Sequence, residues 1–115
     1  MNTDKACVRD ILESMRAVVK YMGDRTLEQF VRDPLVIDAV ERRLEIMGEA
    51  TKRVSIPLRE AYPDIPWRKM AGMRDMLIHT YDDIELDVVY EAVTRVIPPL
   101  IPVLDTILHS LPDPD

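Results

Sequence analysis

The feature that most constrains the fold is a helical spacing of apolar residues, which recurs in four separate stretches of the chain. In the first stretch, apolar side chains follow at steps of three and four from Val8 to Met22. One such stripe per stretch, with charged residues between, is typical of amphipathic helices that pack against one another. Gly23 follows directly, where a glycine commonly closes a helix. We therefore predict an all-α fold, an up-and-down bundle of four to five helices.

Capping residues mark where the next two helices begin. Thr26 and Gln29 have the spacing of a capping box, which predicts a short helix after the first one. Asp33 and Pro34 suit the N-cap and first position of a longer helix, whose apolar stripe continues to Val54.

The final stretch predicts a helix interrupted by prolines. From Leu86 to Ile107, apolar residues follow a heptad pattern, but Pro98, Pro99 and Pro102 lie within it. An interior proline removes a backbone hydrogen bond and costs roughly 3 kcal/mol. We expect two helical segments that meet at a kink at Pro98 and Pro99.

Length and composition favour one domain inside a reducing compartment. The chain has 115 residues, and we assign 1–110 to a single helical domain and 111–115 to a flexible tail. Cys7 has no second cysteine with which to form an internal disulfide, which suits the cytoplasm. No apolar run is expected to reach membrane-spanning length, so we expect no membrane association.

The charge distribution is uneven. The net charge of −6 argues against simple electrostatic binding to nucleic acid. Residues 41–74, however, contain eight basic residues against five acidic ones, and from residue 75 onward Arg95 is the single basic residue against nine acidic ones. This pattern is consistent with a local positive groove on an acidic body, and equally with charges that only solvate helix faces.

A positive charge interrupts the apolar stripe of the third long stretch. From Trp67 to Ile78 apolar residues recur at steps of three and four, and Arg74 stands in the middle of them. A guanidinium is costly to bury unpaired, so it needs a carboxylate, a phosphate or water in a groove. If the second and third long helices pack together, a row of glutamates spaced by four residues offers the nearest carboxylates. They are Glu41, Glu45 and Glu49.

A histidine and a tyrosine follow Arg74. His79 lies five residues on, and Tyr81 two beyond it. On a regular helix His79 would be rotated by about 140° from Arg74, so the two side chains converge only if the helix ends there. The polar run from Thr80 to Asp83 predicts such an end. By residue chemistry alone, His79 could instead cap the helix, Arg74 could form a structural ion pair, and Tyr81 could anchor the loop.

The string Arg74-x4-His79-x-Tyr81 closely resembles the HepT-like proteins of the HEPN superfamily, which are small all-helical toxins paired with a minimal nucleotidyltransferase antitoxin. The likeness covers roughly residues 4–108. It is carried by Leu44–Ala50, Pro63–Trp67, Arg74–Tyr81 and Ile84–Leu86. Glu85 departs from the family, which usually has an aspartate there, and this puts the cap of the final helix in question.

The resemblance implies an endoribonuclease that cleaves RNA (mRNA or tRNA) without a metal or other cofactor. An imidazole can transfer protons near neutral pH, and an arginine fork matches phosphate oxygens, so Arg74 and His79 are the catalytic candidates. Because one arginine and one histidine are few for a complete active site, we expect a homodimer that brings two copies of the pair to one groove. Asp75 and Glu49 are candidates for supporting or orienting the pair, although Asp75 could also be a solvated charge.

The resemblance also implies regulation at Tyr81. In the family, a MntA-like nucleotidyltransferase antitoxin adenylylates this tyrosine and silences the toxin, which would place negative charge where RNA phosphate must sit. The alternative function is a non-catalytic HEPN subunit that binds nucleotide or RNA, and a purely structural dimerisation domain is a third possibility. We predict no metal site, since His79 and His109 are the two histidines and no HExxH or CxxC motif occurs.

Overall fold

The computed structural model describes residues 3–79 and 85–113, and it describes 74–79 by their backbone alone. These ranges hold seven α-helices and one π-helical turn, and no strand, which confirms the all-α helical bundle. The elements are α1 (Thr3–Met22), α2 (Leu27–Val31), α3 (Pro34–Lys52), α4 (Ile56–Ala61), α5 (Trp67–His79), α6 (Leu86–Glu91), the π-helical turn (Ala92–Val96) and α7 (Ile97–Ser110).

Helix α1 is the centre of the bundle. It packs against α3 on one side and against α7 on the other, and α3 in turn packs against α5. The buried face of α1 includes Val8, Ile11, Met15 and Val18, each with no solvent exposure, as the spacing of three and four predicts. Gly23 ends α1 with φ at 56°, a left-handed conformation that glycine adopts without a steric cost.

The short helix α2 has the capping box that the sequence predicts. The hydroxyl of Thr26 accepts a hydrogen bond from the Gln29 amide, and the Gln29 side chain accepts one from the Thr26 amide. One turn later Phe30 is fully buried, and its ring centroid lies 6.0 Å from that of Tyr90 on α6. This aromatic anchor holds α2 against the end of the bundle that carries α6.

Arg25 joins three helices at one corner of the bundle. Its Nη1 donates hydrogen bonds to the carbonyls of Tyr21 (2.8 Å) and Met22 (3.2 Å), which are left open at the end of α1. Its Nε lies 3.3 Å from Oδ2 of Asp33, the N-cap of α3. The hydroxyl of Tyr90 donates to the Arg25 carbonyl at 2.7 Å, which brings α6 to the same corner.

The final helix passes through its prolines by changing its hydrogen-bond pattern. The Ile97 amide donates to the Ala92 carbonyl, five residues back, and α7 begins directly before Pro98 and Pro99. A π-helical turn of this kind accommodates residues that cannot supply the regular hydrogen bond. The change of helix type thus falls where we predicted the two segments to meet.

This final helix corrects one expectation about apolar length. Residues Leu86–Ser110 form a continuous span of 25 residues that is long and apolar enough to cross a membrane by length and composition alone. Our expectation that no run approaches this length is therefore wrong. One side of the span, with Val89, Val93, Ile97 and Leu104, is buried against the rest of the protein, but only 28% of its most apolar window is buried.

The two ends of this span have further contacts that bear on the sequence predictions. Glu85 occupies the N-cap of α6 but makes no side-chain cap hydrogen bond, in agreement with the weak cap expected of a glutamate. Beyond α7, Leu111 packs partly buried against the core. The Asp113 carboxylate lies 2.6 Å from Nζ of Lys5, and this hydrogen bond lowers the pKa of Asp113. The predicted tail is thus in contact with the bundle through Asp113.

Candidate active site

Helix α5 carries the motif and is fixed in the core by its first half. Trp67 is 6% exposed, and its indole nitrogen donates to the Tyr62 carbonyl at 2.9 Å. Met70, one turn on, is also buried. Because α5 packs along α3, the helix that leads to the motif has a defined position in the bundle.

Four of the predicted site residues lie in the second half of this helix or beyond it. Arg74, Asp75 and His79 belong to the backbone of α5, and their side chains lie outside the described residues, as does the whole of Tyr81. On one helix, a separation of five residues is a rise of about 7.5 Å along the axis. The convergence of Arg74 with His79 stays a prediction, and so does the pairing of Arg74 with a glutamate.

The packing of α3 on α5 meets the condition for the glutamate row to act as a partner, but the row is not uniform. Glu49 is exposed, and Glu45 lies 3.7 Å from Arg42 on its own helix. Together with Asp10 of α1, they line a small cleft of about 290 Å³. Glu45 and Glu49 therefore border α1, and the supporting role expected for Glu49 stays a prediction.

Glu41, the third member of the row, has a different environment. It is partly buried, and burial, together with the nearby charge of Asp38, raises the pKa of its carboxyl. A partly desolvated carboxylate gains more from a cationic neighbour than an exposed one does. A guanidinium beside Glu41 would offset this desolvation.

A large groove, which our sequence reasoning missed, separates the first half of α5 from the final helix. Its volume is about 1010 Å³. Apolar side chains from α3, α5, α6, the π-helical turn and α7 line it. They include Met47, Met70, Met73, Val88, Val96 and Leu100. The charged residues on its rim are Lys69, Asp64, Asp87 and Glu91. The described lining of this groove is therefore mostly apolar, with three acidic residues and one basic residue, and the local positive groove near Arg74 stays a prediction.

The basic residues of the chain's middle are dispersed over the described surface. Arg59 donates to the Thr51 carbonyl at 2.6 Å and so closes the end of α3. Arg42 and Arg53 line the small cleft on α3, where acidic side chains surround them, and Arg68 is exposed on α5. For these residues, the interpretation as charges that solvate or cap helices is the better one.

The remaining histidine and the cysteine have structural positions. His109 is exposed on α7, with Nδ1 2.8 Å from the Asp105 carbonyl one turn back. Cys7 is buried in the core, and burial raises the pKa of its thiol. Among the described residues, no three histidine, cysteine, aspartate or glutamate side chains are grouped so that they could hold a metal ion.

Comparison with known proteins places most of the chain in one family. The family model "Ribonuclease HepT-like" matches residues 11–107, a range that runs from the middle of α1 to near the end of α7 and spans residues 74–81. The chain belongs to the HepT-like ribonuclease family. This confirms the family resemblance of the sequence and supports a ribonuclease of the HEPN type.

Relatives from archaea and bacteria share most of the chain. "Putative RNase MJ0127" of Methanocaldococcus jannaschii is 33% identical over 111 residues, which are 96% of this chain and 92% of that protein. "Putative RNase TTE0752" of Caldanaerobacter subterraneus is 35% identical over 87% of this chain and 89% of its own. "Probable ribonuclease HepT" of Thermococcus cleftensis is 38% identical over 84% of this chain and 87% of its own. No solved structure matches significantly.

Proposed function

We propose that this protein is a metal-independent endoribonuclease toxin of a toxin–antitoxin pair, with Arg74 and His79 as its catalytic residues. The observation that carries the proposal is the family match over residues 11–107, which spans the Arg-x4-His-x-Tyr motif. The backbone of α5 is helical from Trp67 to His79, so the two residues stand about 140° apart on one helix, and the proposed homodimer is what would bring their side chains into one cleft.

The chemistry follows from the residue types. The 2′-hydroxyl of a ribose loses its proton to an imidazole and attacks the adjacent phosphorus, and the bond from phosphorus to the 5′-oxygen breaks. The departing oxygen takes up a proton, which leaves a 2′,3′-cyclic phosphate and a 5′-hydroxyl end. Arg74 stays charged at all relevant pH values and stabilises the extra negative charge on the phosphate oxygens.

A homodimer completes this site in the proposal. One proton acceptor and one proton donor are needed for each cleavage, and a single copy of the motif supplies one histidine. His79 of the partner subunit would supply the second proton-transfer group if two motifs meet in one cleft. The dimer is proposed for catalysis.

The partner in this proposal is a MntA-like nucleotidyltransferase that adenylylates Tyr81. The added phosphate carries a negative charge two residues from His79, and it would repel RNA phosphate and occupy its space. Co-expression with such an enzyme should add one AMP group to wild-type protein and none to Tyr81→Phe, as measured by mass spectrometry. Tyr62→Phe is the control, since Tyr62 lies in the loop before α5 and should leave the modification intact.

The test of the nuclease compares alanine variants of Arg74 and His79 with alanine variants of another arginine and another histidine that lie outside the motif. Arg74→Ala and His79→Ala should each lower the cleavage of end-labelled single-stranded RNA, in buffer with EDTA, by about 100-fold or more. Arg68→Ala, on the exposed part of the same helix, and His109→Ala, on α7, should keep wild-type activity. Thermal melting of all four variants shows whether the fold is kept.

Three results would reject the nuclease. The first is full activity in His79→Ala, and the second is an equal loss in His109→Ala. The third is tight RNA binding with no cleavage by the wild-type protein, which would favour the alternative of a non-catalytic HEPN subunit that binds nucleotide or RNA.

A further inference from the structure

We draw no further inference here: the strongest candidate, the apolar groove between α5 and the final helix, adjoins the surface that the proposed homodimer would cover, and nothing among the described residues shows another occupant.

Discussion

Replacement of Arg25 by alanine should destabilise the bundle more than any other substitution of a partly exposed charged residue described here. The guanidinium is the only side chain in the described structure that we find bonded to the end of α1 and to the start of α3 at once. Its side chain is 35% exposed, so water replaces part of what the substitution removes.

The magnitude follows from the three hydrogen bonds. A hydrogen bond from a charged group contributes about 1.5–3 kcal/mol. The bond to the Tyr21 carbonyl, at 2.8 Å, is short, whereas those to Met22 and Asp33 are 3.2 and 3.3 Å long. The ion pair itself is a third exposed and contributes less than about 1 kcal/mol. We therefore expect Arg25→Ala to lower the free energy of unfolding by about 2 kcal/mol, which is about 8 °C in melting temperature at this chain length.

Asp33→Asn is the matched control for this prediction. Asparagine is as good an N-cap as aspartate, so this variant keeps the cap on the Val36 amide and loses only the charge. It should cost less than about 1 kcal/mol. Urea unfolding followed by circular dichroism measures both variants. The reasoning fails if Arg25→Ala costs less than about 0.5 kcal/mol, or if Asp33→Asn costs as much as Arg25→Ala.

Three further predictions concern buried and capping side chains. Ser14 is buried on α1 with no hydrogen-bond partner for its hydroxyl, so Ser14→Ala should be neutral or stabilising by up to about 1 kcal/mol. The buried Thr51 hydroxyl donates to the Met47 carbonyl, so Thr51→Val should instead cost about 1 kcal/mol. Urea unfolding of both variants should show these opposite signs. Thr26→Ala removes the capping box of α2 and should lower the melting temperature by about 4 °C, or 1 kcal/mol, in a calorimetric scan. Because burial raises the pKa of Cys7 in the folded state, the contribution of this thiol to stability should be fully present below the ordinary thiol pKa of about 8.5 and should be lost as the pH rises above it. A thiol reagent should label Cys7 at the rate of unfolding, and rapid labelling of the native protein would contradict the burial.

Much of the bundle could be predicted from the sequence, because the signals are local. The stripe of α1, the capping box after Thr26, the cap of α3 at Asp33 and the anchor Trp67 each depend on residues no more than a few positions apart. Such patterns fix which face of a helix is apolar and where the helix begins. The family could also be recognised from the sequence, because the spacing of Arg74, His79 and Tyr81 does not depend on the fold.

The corner at Arg25 and the groove beside α5 were decided by the tertiary structure. Arg25 looks like an ordinary surface charge in the sequence, and the Tyr90 hydroxyl that bonds to its carbonyl is 65 residues away. The final helix is apolar on more than one side, so its pattern could not tell that Val93 would be buried and Val96 exposed to a groove. Periodicity states that a helix face avoids water, but which face of which neighbour covers it depends on how the whole chain closes around α1.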